Sequence, residues 1–465
     1  MSEVLPPGWA VVPLGSVAHV QLGKMLSAAA KTGRGARPYL RNINVRWHRI
    51  DVDDVFSMDF NEREVEKFTL RSGDVLVCEG GEPGRAAVWR DQLPGALYQK
   101  ALHRVRFIDD AVDPDFFVYQ LELIAATGEL ARGFTGSTIK HLPREVFVEL
   151  PLRIAPIAEQ RRIVAVLEEK LSSLDAAVAG LERARTRLSL YLESSVQAAV
   201  SNMLERGLMD DDTNTQFEWK PLAAVLADIG QGWSPRCVPD PPADEKGWAV
   251  IKTTAIQPFR FDSSECKGLP EGLSPRPEIE IHVGDLLVTR KGPRSRAGVA
   301  AAVKQTRSRV MICDTVYRIR LKAEMARPHF MAIAMSSTVV AAAIDRAKAG
   351  ISESGLSLTH DRLGAILVPL PPLGVQEAIE NEIDRRVQVV DRVNADIDLQ
   401  LARAARLRQS ILQRAFSGGL VPQDPAEAPT SIVADPDRTE RASAPASSRP
   451  ARGRGRTART GSRRG

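Results

Sequence analysis

The chain is built twice, and this repeat constrains its fold more than any other feature of its 465 residues. Gly8-Trp9-Ala10-Val11-Val12-Pro13-Leu14 returns, slightly shortened, as Glu218-Trp219-Lys220-Pro221-Leu222. Tyr39-Leu40-Arg41 returns as Val250-Ile251-Lys252, and Ser72-Gly73-Asp74-Val75-Leu76-Val77 as Val283-Gly284-Asp285-Leu286-Leu287-Val288. His103-Arg104-Val105-Arg106 returns as Tyr317-Arg318-Ile319-Arg320, and Pro156-Ile157-Ala158-Glu159-Gln160 as Pro372-Leu373-Gly374-Val375-Gln376. The offset is 211 residues at Gly73 and Gly284 and 216 at Gln160 and Gln376. The globular segments therefore differ by short insertions of the kind surface loops absorb. From Gln160 onward the offset stays at 216 without a gap, so that Gln197 matches Gln413 and Ser201 matches Ser417. A segment kept to one length predicts an element whose length matters.

That element reads as a helix. Leu171, Leu174, Val178, Leu181, Leu188 and Leu192 fall at a and d of a heptad, as do Val387, Val390, Asn394, Ile397 and Leu401, with Ile411 in the last turn. Apolar residues sustained at a and d over three heptads argue for a coiled coil. Arg185 and Arg408 interrupt the seam, and Asn394 stands where a polar residue can fix register. Each helix starts just after a proline, Pro156 or Pro372, and the second stops at Gly418-Gly419. A mutual antiparallel pair is expected, because a globular segment separates the helices; two core helices of one large domain are the alternative.

The globular segments read as α+β. Val75 to Val77, Arg104 to Phe107 and Tyr317 to Ile319 have strand character, whereas Asp115 to Leu130 and Pro328 to Ala349 read as helices. The predicted organisation is a globular segment over 1–155, a helix over 156–206, a second globular segment over 207–371, a second helix over 372–421 and a tail over 422–465. The tail is rich in Pro, Ala, Ser, Gly and Arg and is too poor in large apolar side chains to build a core. Its Arg452-Gly453-Arg454-Gly455-Arg456 end is either a non-specific nucleic-acid contact or an inert solvated tail.

Charge is distributed unevenly. Net charge is only +5, yet no acidic residue lies between Glu3 and Asp51, a stretch holding Lys24, Lys31, Arg34, Arg37, Arg41, Arg46 and Arg49. None lies between Asp285 and Asp314, which holds Arg290, Lys291, Arg294, Arg296, Lys304, Arg307 and Arg309. Lys and Arg neutralise phosphates and release counterions, and Arg also bonds guanine edges. One such run in each half points to mobile DNA-facing loops; acids supplied from elsewhere in the fold would instead make these runs an ordinary surface. Gly80-Gly81-Glu82-Pro83-Gly84-Arg85 follows a predicted strand and could offer backbone N–H groups and Arg85 to a phosphate, or be a plain glycine turn. Gly136-Ser137-Thr138 with Lys140 has phosphate-binding chemistry of lower specificity.

Other classes find little support. The four cysteines lack C-x-x-C spacing and the seven histidines are scattered, which predicts neither a zinc site nor a disulfide framework and fits a reducing cytoplasm. No leader pattern opens the chain and no apolar run approaches the ~20 residues of a membrane span. Asp240-Pro241-Pro242-Ala243 lacks the aromatic residue that stacks on a flipped base, and no glycine-rich turn for a methyl donor precedes it. Asp240, Asp244, Glu245 and Lys246 are too closely spaced to place carboxylates on two strands around a metal. No P-loop is present. A stand-alone DNA methyltransferase or endonuclease, and a coiled-coil scaffold without DNA function, are the competing readings.

Several motifs resemble one family. Leu407-Arg408-Gln409-Ser410-Ile411-Leu412-Gln413-Arg414-Ala415-Phe416-Ser417-Gly418-Gly419-Leu420-Val421 resembles the C-terminal helix end of Type I restriction-modification specificity subunits. Leu152-Arg153-Ile154-Ala155-Pro156-Ile157-Ala158-Glu159-Gln160-Arg161-Arg162-Ile163-Val164 resembles the start of their central helix. Pro38-Tyr39-Leu40-Arg41-Asn42-Ile43-Asn44, Gly73-Asp74-Val75-Leu76 and Gly136-Ser137-Thr138 resemble marks of their first recognition domain. The resemblance covers about residues 6–421. The second half departs from it, with Ser352-Glu353-Ser354-Gly355 near where Gly-Ser-Thr is expected and Pro372-Leu373-Gly374-Val375-Gln376 as an eroded helix start.

The resemblance implies two target recognition domains separated by two long antiparallel helices, each domain reading half of a bipartite, asymmetric site in double-stranded DNA. It implies a non-catalytic subunit without a cofactor, whose partners are two methyltransferase subunits and a translocase-nuclease subunit carrying S-adenosylmethionine, ATP and Mg2+. The candidate DNA contacts are Arg41, Asn42, Gly81, Arg85, Ser137, Thr138 and Lys140 in the first half, and Lys252, Thr253, Arg290, Lys291, Arg294 and Arg296 in the second. The candidate partner contacts are Gln160, Arg161, Arg162, Gln376, Gln409 and Phe416.

Overall fold

The computed structural model describes residues 5–427 apart from 28–29, 31, 34, 137–138, 210–217, 245 and 351, and it describes 201–209 as backbone only. Most of the predicted tail thus lies outside the described residues. The chain forms two compact units, one made of residues 1–179 with 400–465 and the other of residues 180–399. Each unit takes one globular segment and part of both long helices.

In the first unit an antiparallel sheet runs in the order Ala18–Leu22, Leu102–Phe107, Val75–Cys78, Ala86–Val88. Alternate residues of a strand face opposite sides. Val75 and Val77 accordingly enter a core shared with Phe117 and Leu121 of helix Pro114–Ala126, while Leu76 and Cys78 enter a second core with Leu40, Leu97 and Tyr98. Burial on both faces explains why this strand is continuously apolar. A smaller sheet, Phe56–Asp59, Ala36–Leu40 and Leu97–Tyr98, includes one parallel pair.

The second unit repeats this plan. Its four-stranded sheet runs Leu226–Gln231, Val316–Leu321, Leu286–Thr289, Ala300–Ala302, and its three-stranded sheet runs Cys266–Gly268, Ala249–Ile251, Val310–Met311, again with one parallel pair. Leu286 and Val288 face one core and Leu287 the other.

The repeated Gly-Asp landmark is a turn leading into the central strand. Gly73 and Gly284 take φ of +90° and +92°, where only glycine is unstrained. The Asp that follows accepts a backbone N–H three residues back, from Arg71 to Asp74 and from His282 to Asp285. It also receives the second arginine of the Arg-x-Arg strand, Arg106 at 2.6 Å and Arg320 at 3.1 Å.

Helix Pro114–Ala126 is capped by Asp113, whose carboxylate accepts from Asp115 and Phe116 N–H, and it ends four residues before the predicted limit. The single helix expected over Pro328 to Ala349 is two, Pro328–Ser336 and Thr338–Ala347, bent by 78°. The break falls at Ser337, extended and buried, whose hydroxyl bonds the Ala334 carbonyl, just before the β-branched run Thr338-Val339-Val340. Among the described residues no single helix is long and apolar enough to cross a membrane.

In each unit a strand near the segment's start pairs with the strand leading to a long helix: Ala10–Pro13 with Pro151–Ile154, and Glu218–Pro221 with Leu367–Leu370. The helices run Ile157–Met209 and Leu373–Phe416. The second closes on Gly418 at φ +76°, with Gly419 N–H returned to the Arg414 carbonyl, a glycine C-cap of Schellman type.

Within the first unit the helices run antiparallel. Asp175 bonds Arg408, whereas Glu159 and Arg162, earlier on the first helix, bond Gln423 and Glu427 beyond the end of the second. Leu171 and Leu174 share a core with Ile411 and Leu412. Within the second unit the direction is the same: Arg185 pairs with Asp398, while Val196 and Val200 share a core with Ile379 and Ile383. The two arginines that interrupt the heptads are therefore cross-helix ion-pair partners.

Candidate nucleic-acid interface

In the first unit the fold brings three separate segments to one turn. Strand Ala36–Leu40 delivers Arg41 and the short helical turn Asn42–Asn44. The central strand Val75–Cys78 delivers Gly80-Gly81. A bridge from Gly80 to His141 brings Lys140 alongside. The Asn42 amide donates to the Gly80 carbonyl at 3.1 Å, and Gly81, at φ +85°, lies so close that a Cβ there would stand 2.4 Å from that amide nitrogen. Arg41 stacks 3.7 Å from the Phe56 ring centroid and pairs with Asp54 at 2.7 Å. His141 bonds Glu79 at 3.0 Å, and Lys140 is exposed, with its ammonium on the Gly136 carbonyl. Ser137 and Thr138 lie outside the described residues.

The second unit carries the same construction. Thr253 opens the turn Thr253–Ala255, and Lys291–Gly292 pairs with Leu356–Ser357 where Gly80 meets His141 in the first. Thr253 shares a 3.1 Å hydroxyl hydrogen bond with Thr315. Arg290 lies over the Tyr317 ring and donates to the Asp314 carbonyl, and Lys252 reaches Glu265 at 3.5 Å. The Lys291 side chain is exposed and makes no hydrogen bond or ion pair among the described residues; the same holds for the Arg46 side chain in the first unit.

Several expectations need correction. The basic run between Asp285 and Asp314 is not one continuous loop: it contains strands Leu286–Thr289, Lys291–Gly292, Ala300–Ala302 and Val310–Met311. Two of its charges are matched by acids across the fold, Arg294 by Asp345 and Glu353, and Lys304 by Asp384. Arg307 donates to the Asp244 and Gly247 carbonyls. In the first run Lys24 pairs with Glu64 at 2.6 Å. Arg85 is buried, bound to Glu82 and to the Asn42 carbonyl, and Arg296 donates to Gln257 and to the Thr253 and Ile256 carbonyls. Arg85 and half-buried Arg296 thus spend their guanidinium groups on bonds within the protein, whereas Arg294 is exposed and ion-paired at the surface.

The proposed partner contacts divide similarly. Gln160 is fully buried: it accepts from Asp113 N–H and donates to the Ala111 and Ala155 carbonyls, each at 2.8 Å. Gln376 repeats this with Arg327, Met325 and Pro371 at 2.8–2.9 Å. Both glutamines lock the start of a long helix to its globular segment, so their side chains are unavailable to a partner. Phe416 is likewise buried, 5.0 Å from the Phe116 ring. Arg161 is exposed, Gln409 is half-buried, and Arg162 pairs with Glu427.

Two features escaped the sequence reading. A tight hairpin pairs Val45–Arg46 with Arg49–Ile50 and turns on His48 at φ +59°; its counterpart pairs Ile256–Gln257 with Arg260–Phe261 and turns on Phe259 at φ +65°. His48 stacks on Tyr119 and bonds Glu122 at 2.7 Å. Glu122 also takes Arg408 at 2.5 Å, which ties hairpin, helix Pro114–Ala126 and second long helix together. Burial pushes the Glu122 carboxyl upward, but the His48 and Arg408 hydrogen bonds outweigh it and hold the carboxyl below its ordinary range. Among the described residues no three His, Cys, Asp or Glu side chains converge as a metal site.

Gly81→Ala is expected to cost about 1–2 kcal/mol from the left-handed backbone alone. It should also push the Asn42 amide off Gly80. Thermal melts and duplex-binding titrations of the variant, showing both lower stability and weaker binding, check this.

Residues 6–180 match the Type I restriction modification DNA specificity domain. A 191-residue stretch, 41% of this chain, is 34% identical to the Type I restriction enzyme EcoEI specificity subunit of Escherichia coli and spans about a third (32%) of that subunit's length. The EcoKI specificity subunit of Escherichia coli strain K12 is 22% identical over 436 residues, 92% of each chain. A solved chain from work on complex assembly and conformational transition of the type I R-M system covers 90% of this chain with a TM-score of 0.62 at 18% identity, a likeness of fold. The chain is thus similar, over residues 6–180, to a Type I restriction modification DNA specificity domain and, more distantly along most of its length, to Type I restriction enzyme specificity subunits.

Proposed function

We propose that this chain reads a bipartite, asymmetric double-stranded DNA site for a Type I restriction-modification complex and catalyses nothing itself. Residues 1–155 and 207–371 act as first and second target recognition domains, each reading one half-site. The helices, over 156–206 and 372–421, form an antiparallel coiled coil that spaces the half-sites and docks two methyltransferase subunits. S-adenosylmethionine, ATP and Mg2+ then belong to those subunits and to a translocase-nuclease subunit, and the assembly works in the cytoplasm. The observation that carries this reading is the duplicated turn. Asn42 with Gly80-Gly81, and Thr253 with Lys291-Gly292, stand on sheets of the same strand order at one offset of 211 residues. In the first unit Arg41, Asn42, Gly81 and Lys140 form the reading surface with exposed Arg46; in the second, Lys252, Thr253, Arg290 and Lys291 do.

The spacer role predicts a change of gap. Inserting four residues into both helices, after Ala179 and after Leu399, where each passes from one unit to the other, lengthens each by about 6 Å. DNA advances about 34 Å per turn of about 10 base pairs. Methylation-site sequencing is then expected to find both half-sites intact and the unread gap longer by about two base pairs. An unchanged gap in a folded, active variant rules out the helices as the spacer.

A further inference from the structure

We infer that Arg85 and Arg296 are equivalent positioning residues that each set the half-site specificity of their own domain without touching DNA; the inference rests on the two-domain reading above. The two arginines stand at the 211-residue offset that also relates Asn42 to Thr253 and Gly81 to Gly292. Arg85 donates from Nη2 to the Asn42 carbonyl at 3.0 Å, and Arg296 donates from Nη2 to the Thr253 carbonyl at 2.7 Å. Each guanidinium therefore leaves the turn after the central strand and grips the first residue of the short helical turn that follows the strand of the smaller sheet.

The second nitrogen of each fork fixes a different neighbour. Arg85 Nη1 bonds Glu82 at 2.6 Å and rigidifies its own Gly-rich turn. Arg296 Nη1 bonds Gln257 at 3.0 Å, while its Nη2 also reaches the Ile256 carbonyl, so it fixes the hairpin Ile256–Gln257 with Arg260–Phe261 as well. A planar fork can hold two acceptors at a set angle, which an ammonium cannot reproduce. Arg85 is buried, so its side chain is placed for these bonds and not for solvent, and Arg296 is half-buried with both terminal nitrogens bonded within the protein. Around Gly81 the spacing is close enough that a shift of the Asn42 turn moves the Asn42 amide and Gly80 together. Base readout depends on such placement, because hydrogen bonds to base edges tolerate little displacement.

The test uses the full chain assembled with its methyltransferase subunits, on duplexes carrying the native site or base changes in one half-site. Arg85→Ala is expected to weaken native-site binding about 10- to 100-fold, the scale of a lost charge-assisted hydrogen bond. It should flatten discrimination at one half-site, leave discrimination at the other half-site intact, and leave the slope of affinity against salt unchanged. Arg296→Ala should do the same for the opposite half-site. A salt slope lowered by about one, with discrimination kept, would identify a phosphate contact and overturn the inference. Equal loss at both half-sites, or no loss, would overturn it too. If either alanine variant melts early, Arg85→Lys and Arg296→Lys decide: at native melting temperature, each must still lose discrimination in its own half. Wild-type complex that ignores both half-sites would instead defeat the two-domain reading itself.

Discussion

Replacing Arg408 with alanine is expected to destabilise the first unit by about 3–5 kcal/mol, the range for stranding one member of a buried ion pair. Glu122 is mostly buried and takes both the Arg408 guanidinium and His48. Without Arg408 its charge keeps one partner in a site that burial makes hostile to it. The sign of the pH dependence follows. In the native chain the Glu122 carboxyl titrates below its ordinary value, so its contribution is present above the unfolded carboxyl pKa of about 4.3 and is lost as pH falls through the lower folded value. The deficit of Arg408→Ala is therefore largest near neutrality and shrinks in acid, where Glu122 is protonated in both states. Urea unfolding of native chain and variant at about pH 7 and at a series of lower pH values, from about pH 4 downward, measures it. The Asp175 bond adds little, because Asp175 is largely exposed.

The second large effect belongs to the paired glutamines. Gln160→Ala leaves Asp113 N–H and the Ala111 and Ala155 carbonyls without the side chain that joins them. Each buried group left unsatisfied costs about 1–3 kcal/mol, which places the loss at about 3–5 kcal/mol with the small cavity included. Gln376→Ala should cost a similar amount in the second unit. Gln160→Glu is expected to be no better, since it keeps the acceptor for Asp113 but sets an oxygen against two carbonyls. Unfolding of the chain without any partner separates this from a docking role: a docking glutamine would leave that midpoint unchanged.

Much of this architecture was legible because duplication makes each landmark visible twice. The Gly-Asp turns, the Arg-x-Arg strands and the gapless 216-residue offset each correspond to a local device: a left-handed glycine, an aspartate that caps it and receives an arginine, and two long helices that start 216 residues apart, at Ile157 and Leu373. What local sequence hid was long-range pairing. Arg294 and Lys304 lie in an acid-free run, yet their partners Asp345, Glu353 and Asp384 stand 51 to 80 residues away. Arg185 and Arg408 looked like faults in a heptad because Asp398, Asp175 and Glu122 come from other elements. Gln160 and Gln376 read as surface marks because a buried side chain that bonds only backbone leaves no complementary residue in the sequence. The hairpins at His48 and Phe259 were within reach, since the same 211-residue offset relates them.

The central claim is that two independent domains read one site. Its most direct measurement is methylation-site sequencing in cells that carry the methyltransferase subunit. One culture expresses this chain, and the other expresses a chimera with residues 218–371 replaced by the matching segment of a relative. The account predicts a bipartite motif for the native chain and, for the chimera, one half-site changed, the other half-site kept, and an equal gap. A motif altered in both halves, or left wholly unaltered by the exchange, would contradict it.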